Sequence, residues 1–142
     1  MNIDMEDKLK YDERLKTANK ERLSLWVNEL RYGMHKQGIG ALKVTLDEDD
    51  EVVPAQYCCL GVACLVYARE TKKKGFDENG DFMGLSDVLP DKVAKWYGIS
   101  ENPLFLTNKK QKNYATATEL NDDRNYTFPK IADLVEKQYI NG

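Results

Sequence analysis

Apolar positions first recur at helical spacing at Leu23, Trp26, Val27, Leu30 and Met34, with Glu21, Arg22, Asn28 and Glu29 on the other faces. This pattern predicts a helix over 18–33, with Gly33 as its stop. Ahead of it, residues 1–16 carry Asp4, Glu6, Asp7, Lys8, Lys10, Asp12, Glu13, Arg14 and Lys16 and little apolar surface to hold them down. They read as a charged N-terminal arm, a frayed helix or a mobile segment, before a single globular domain over 17–142. After Gly38-Ile39-Gly40, the positions Leu42, Val44 and Leu46 alternate with Ala41, Lys43 and Thr45, the period of a half-buried strand. The acidic run 47–51 reads as an exposed turn, with Val52-Val53 returning as a second short strand.

Residues 56–68 are different in kind. Leu60, Ala63, Cys64, Tyr67 and Ala68 share one helical face, yet Cys59, Val62 and Val66 leave the opposite face apolar as well. A segment apolar all round is a central, buried helix. Asn79-Gly80 between Phe76 and Phe82 predicts a short hairpin. Leu89, Val93 and Trp96 before Gly98 predict a short helix within 86–98, Asn102-Pro103 a turn, and Lys109 to Asn113 a polar loop. Tyr114 to Leu120 reads as a short helix. Thr127 reads as the N-cap of a last helix over 128–139, buried through Phe128, Ile131, Leu134 and Val135. The sum is a compact, helix-rich α+β single domain with a central buried helix and one or two small β-hairpins.

Length and charge narrow the function classes. The 142 residues make one domain; hydrophobic residues are 42% and charged residues 32%, enough for a core and a solvated surface. The formal net charge of -3 weighs against a protein that coats nucleic acid. Phe128 to Leu134 resembles the first helix of a helix-turn-helix, but only Tyr139 to Gly142 remain for a recognition helix, so sequence-specific nucleic-acid binding is not expected. Lys72 to Lys74 and the lysines of 109–112 lie in separate loops and leave a weak nucleic-acid association as a further alternative. No apolar run approaches the roughly 20 residues of a membrane span. The acidic start is unlike a secretory signal, so a soluble intracellular protein with no membrane partner is expected.

The chemical inventory is thin. His35 is the one histidine, which excludes mechanisms needing two imidazoles. Cys58, Cys59 and Cys64 are expected as reduced thiols, packed as small apolar groups. A cysteine at a helix start can become a thiolate, and Gln56 just upstream faintly resembles a papain-like arrangement. The alternative thiol site is therefore Cys58 or Cys59 with His35, in a cysteine-dependent hydrolase or transferase. The Cys-Cys-x4-Cys spacing misses the pattern of structural zinc, and a calcium loop counted from Asp77 fails at Phe82 and Val88. Neither a metal nor a cofactor is expected.

Several motifs stand in a fixed order: Trp26-x3-Leu30-Arg31-x-Gly33, Gln37-x2-Gly40-x-Leu42, Tyr57-Cys58-Cys59-Leu60-Gly61-Val62, Leu89-Pro90-x2-Val93-x2-Trp96-x-Gly98, Leu120-Asn121-Asp122 and Phe128-x2-Ile131-Ala132-Asp133. Together, over about 26 to 136, they resemble a family of small uncharacterised bacteriophage and prophage proteins. The resemblance implies a phage origin and an early or accessory role in the cytoplasm of an infected bacterial host, and it brings no known activity. With no credible acid–base pair beside a nucleophile or metal set, the expected function is binding rather than catalysis. The partner is a host protein or a small nucleotide-like signalling molecule, in host takeover or anti-defence. The ligand-binding residues expected from the polar positions of the motifs are Arg31, Gln37, Tyr57, Asn121 and Asp122, an arginine for an anionic group and an Asn-Asp pair for amide-type hydrogen bonds.

Overall fold

With apolar side chains on every face as far as Ala68, helix α3 (Cys59–Thr71) has no side to offer water before its last turn, and the rest of the chain packs around it. Cys59, Leu60, Val62, Ala63, Cys64 and Val66 are all buried. The computed structural model describes residues 5–45, 47–48, 51–52, 54–100, 102–108, 110 and 113–142. Two large side chains tie their polar ends to the backbone of α3: Trp26 Nε1 donates to Cys59 O at 3.0 Å and Tyr97 Oη to Ala63 O at 2.7 Å. Each aromatic thus buries its body without leaving a donor unpaired.

Helix α2 (Lys20–Tyr32) matches the spacing that predicts it, and buries Leu23, Trp26, Val27 and Leu30. Asn19 caps it by accepting from Arg22 N, and the chain turns off at Gly33. A three-stranded sheet follows, in the order β1 (Lys36–Gln37), β5 (Gln56–Tyr57), β2 (Lys43–Val44), with β1 parallel and β2 antiparallel to β5. Between β2 and β5, the strands β3 (Asp47–Glu48) and β4 (Glu51–Val52) pair antiparallel, so the acidic run expected to be a turn supplies strand residues itself; Leu46 and Val53 lie outside the described residues. The expected strand 42–46 is thereby reduced to Lys43–Val44, with Leu42 fully buried beside it.

One glycine sets the distance between this sheet and α3. A Cβ on Gly61 would lie 1.9 Å from Leu42 O, so only glycine lets the first turn of α3 approach the backbone of Leu42. Helix α4 (Asp91–Tyr97) follows Pro90 and stops at Gly98, whose φ of 76° is left-handed. Strands β6 (Leu104–Asn108) and β7 (Asn113–Thr116) form the second hairpin. A π-helical turn (Glu119–Asp123) leads to α5 (Phe128–Val135), capped by Thr127, and a second π-helical turn (Glu136–Ile140) extends it.

The architecture is the α+β domain expected, with three further differences. Tyr114 to Thr116 form a strand rather than the start of a helix, because alternate burial of Ala115 and Ala117 against Leu104 and Phe105 suits a sheet. The second hairpin is therefore at 104–116 and not at 76–82, where Asp77 Oδ1 accepts from Asn79 N and Asp81 N and closes a turn without flanking strands. Within the charged segment 1–16, Met5 to Thr17 form helix α1, continuous through Lys16 and held by buried Tyr11, whose hydroxyl donates to Gln138 Oε1 at 2.9 Å.

Candidate binding site at the head of the central helix

The first turn of α3 leaves backbone N–H groups without helical partners, and the surrounding side chains supply the acceptors. Cys58 is the capping residue, its Sγ accepting from Gly61 N at 3.4 Å. Cys59 N donates to Asn121 Oδ1 at 3.2 Å, and the same oxygen accepts from Gln37 Nε2 at 2.8 Å. The Asn121 amide nitrogen donates to Gly38 O at 2.9 Å and to Asp122 Oδ1 at 2.7 Å. Asn121 is 1% exposed, and both ends of its amide are thus satisfied by the protein. Gln37 is engaged as fully: its second Nε2 bond, also 2.8 Å, goes to Tyr126 O.

Three residues of the expected ligand-binding set, Gln37, Asn121 and Asp122, meet here, beside Cys58 and Cys59 of the alternative thiol site. The wider π-helical turn carries the pair Asn121-Asp122 with the amide inward and Asp122 half-buried on a recess. That recess has a volume of about 290 Å³ and is lined by Gly40, Cys58, Asp87, Asn102, Thr118 and Asp122. Asn102 Oδ1 accepts from Thr118 N at 3.4 Å, which fixes one wall. Asp87, Asn102 and Thr118 carry no sequence signal of a site. Asn102-Pro103 announces only a turn, and the three come from segments joined by the fold alone.

Arg31, Tyr57 and His35 are placed elsewhere. Arg31 Nη2 donates to Asp133 Oδ1 at 2.6 Å and Glu136 Oε1 at 3.0 Å, tying α2 to α5 and its π-helical extension. These bonds raise the Arg31 pKa further above its ordinary range. The Tyr57 ring lies between His35 and Phe76, with centroids 5.7 Å from each. His35 Nε2 bonds Glu29 Oε2 at 2.6 Å, and Glu29 Oε1 accepts from Arg69 at 2.7 Å. Burial pushes the Glu29 carboxyl up, but the hydrogen bonds from Arg69 and His35 outweigh it and hold the pKa below 4.5.

The thiols are electrostatically quiet. Burial pushes Cys58 up to about 11, outweighing the N–H groups of Gly61 and Leu60 that favour the thiolate. Burial raises Cys59 and Cys64 too, and all three cysteines are free thiols. Among the described residues, no group of three or more His, Cys, Asp or Glu side chains is placed to hold a metal ion.

Beside the recess lies an apolar shelf. Phe82 and Leu85 exchange backbone hydrogen bonds of 2.8 and 3.0 Å across a tight turn in which Met83 and Gly84 both have positive φ. The turn buries Phe82 completely and leaves Met83, Leu85 and Val88 exposed at 45%, 38% and 39%. Val88 lines both the recess and the shelf, so the two surfaces are continuous.

A family model described as a domain of unknown function (DUF8296) matches residues 17–139. The chain belongs to this family. No curated protein matches it, and no solved structure does. The DUF8296 match contains every residue of the recess and the shelf and leaves all of α1 but Thr17 outside. Among the described residues, no helix of this DUF8296 member is long and apolar enough to cross a membrane.

Proposed function

We propose that the domain works by binding a protein partner through the recess at the head of α3 and the apolar shelf beside it. The observation that carries this reading is the continuity of the two surfaces at Val88: two carboxylates, Asp87 and Asp122, line a recess that opens onto exposed Met83 and Leu85. Such a surface fits an arginine side chain flanked by apolar ones, and arginine, methionine and aromatic residues are the ones enriched at protein-binding interfaces. A nucleotide-like ligand is less well served, because the acidic lining opposes phosphate groups. The cysteine-dependent hydrolase has weaker support still: the Cys58 thiol is protonated at neutral pH, and His35 is engaged by Glu29. The motif resemblance supports a phage accessory protein acting on a host protein in the bacterial cytoplasm.

The test is capture from host lysate by the wild type and by three variants. Asp87→Asn with Asp122→Asn removes the charges, Met83→Ser with Leu85→Ser removes the shelf, and Lys73→Gln is a distant control. A protein retained by wild type and control and lost by both site variants supports the reading. Capture unchanged in both site variants overturns it.

A further inference from the structure

We propose that α1 is a displaceable lid, which swings about Thr17 and leaves as a unit while the domain behind it stays folded, uncovering a groove between β6 and the last helix. The occupant of that groove in the closed state is α1 itself. Tyr11 is the one buried side chain of the helix, and Leu15, one turn further on, packs half-buried against the core. The Tyr11 ring meets Tyr114 and Tyr139 at centroid distances of 5.2 and 6.0 Å. Met5 and Leu9 are exposed, and the ion pairs of Lys8 with Asp12 and Lys10 with Glu6 run along the helix and add nothing to its docking. Beside the helix a space of about 520 Å³ stays open, lined among others by Tyr11, Leu15, Leu106, Leu134 and Gln138. The floor of the groove lies within the DUF8296 match, whereas the lid, Thr17 apart, does not.

Three features set the helix apart from the rest of the fold. The floor is complete without it. Gln138 Oε1 accepts from Leu106 N at 2.8 Å, and Gln138 Nε2 donates to Leu106 O at 2.9 Å, so both ends of the amide stay bonded when the Tyr11 hydroxyl departs to water. Closing the lid is also costly. Arg14 Nε and Nη1 are buried, and neither has an acceptor among the described residues. Burial raises the Tyr139 phenol and the Arg14 charge opposes it, which puts the guanidinium on the Tyr139 side of α1. Donors that lose water and gain no partner work against the closed state, and opening returns them to solvent. Finally, the far end of the helix is pinned. Thr17 Oγ1 donates to Gly98 O at 2.6 Å and Asn19 N to Tyr97 O at 2.8 Å, and a Cβ on Gly98 would lie 2.1 Å from Thr17 O. These contacts fix a pivot and leave the turns before Thr17 to Tyr11 and Leu15. Thirteen residues are too few for a stable helix alone in water, so α1 melts once it lifts.

The experiment is native-state hydrogen exchange of the full chain, read amide by amide by NMR. In the wild type the amides of α1 should exchange about 100-fold or more faster than those of α3, with a weaker dependence on added urea, because opening the lid exposes little surface. Arg14→Met keeps the packed stem and removes the unpaired nitrogens, and should slow the exchange of α1 about fivefold or more. Tyr11→Ala should bring α1 close to the rate of an unfolded peptide while α3 and the Leu106 amide, held by Gln138, stay protected. Exchange of α1 in step with α3 in the wild type overturns the proposal, as does a Tyr11→Ala chain in which α3 or Leu106 loses protection together with α1. An Arg14→Met protein that fails to fold, or whose α1 exchanges as fast as the wild type's or faster, also overturns it, since the nitrogens would then be satisfied within the closed protein.

Discussion

Gly61→Ala isolates the contact that seats the central helix. The new Cβ would stand 1.9 Å from Leu42 O and 2.8 Å from Leu42 C, where a carbon and a carbonyl oxygen ordinarily stay about 3.3 Å apart. More than an ångström of movement is therefore required, and the carbonyl has nowhere to go. Leu42 is fully buried, its N–H donates to Ser86 O at 2.8 Å, and its oxygen accepts from Cys58 N at 3.3 Å. Overpacking of this kind costs about 1–3 kcal/mol, and each hydrogen bond lost about 1 kcal/mol more. Against this, alanine is favoured over glycine inside a helix by about 1 kcal/mol. The net expectation is a loss of about 2–4 kcal/mol, or about 5–12 °C in melting temperature for a domain of this size. Urea unfolding of wild type and variant, followed by circular dichroism, measures it. A variant as stable as the wild type, or more stable by the helix-propensity term alone, would refute the close approach of α3 to Leu42.

Asn121→Ala should cost about 2–4 kcal/mol in the same measurement, since it strands the buried Cys59 N–H and the Gly38 carbonyl; a loss below 1 kcal/mol would mean those groups find other partners. Alkylation of native Cys58 should be slow and should keep accelerating above pH 9 towards a midpoint of about 11, whereas a plateau below pH 9 would reveal a stabilised thiolate. The Glu29 carboxyl is held below its unfolded value of 4.5, so its contribution to stability is fully present above that pH and is lost as the pH falls through the folded value. The stability gap between wild type and Glu29→Gln should accordingly be constant above about pH 5 and narrow below about pH 4.5, and a gap that widens on acidification would contradict the hydrogen bonds to Arg69 and His35.

What was readable beforehand follows the strength of each physical signal. Helices α2, α3 and α5 carry clear apolar patterns, with good caps at Asn19 and Thr127; α2 and α5 begin within two residues of the expected start, and α3 begins three residues later than expected because Gln56–Tyr57 are taken into a strand. The hairpin β6–β7 is built from four and five residues, too short to separate a strand from a buried helical turn by periodicity, and its pairing partner is defined only in space. Helix α1 reads as solvated because Tyr11 is its one buried side chain, with Leu15 half-buried beside the core, and two such positions make no pattern. The meeting of Gln37 with Asn121 was anticipated, but the role was not. Polar side chains that look free to bind a ligand turn out to be consumed in holding the backbone together. Arg31 is the same case, its guanidinium taken up by Asp133 and Glu136.

The Asn121 amide also bears on how the chain reaches this state. Its partners Gln37, Gly38 and Cys59 are 84, 83 and 62 residues away, so the junction closes some of the longest loops in the molecule. Long loops lose entropy before their contacts return any free energy; a polar junction of this kind is expected to close after the transition state, which a φ-value near 0 for Asn121→Ala would support and one near 1 would refute. A side chain of that kind governs how fast the protein comes apart, not how fast it forms. Cutting the amide should therefore speed unfolding and leave refolding nearly unchanged. The recess beside it would then be assembled only in the last step, so that no partly folded form of the chain carries a competent binding surface.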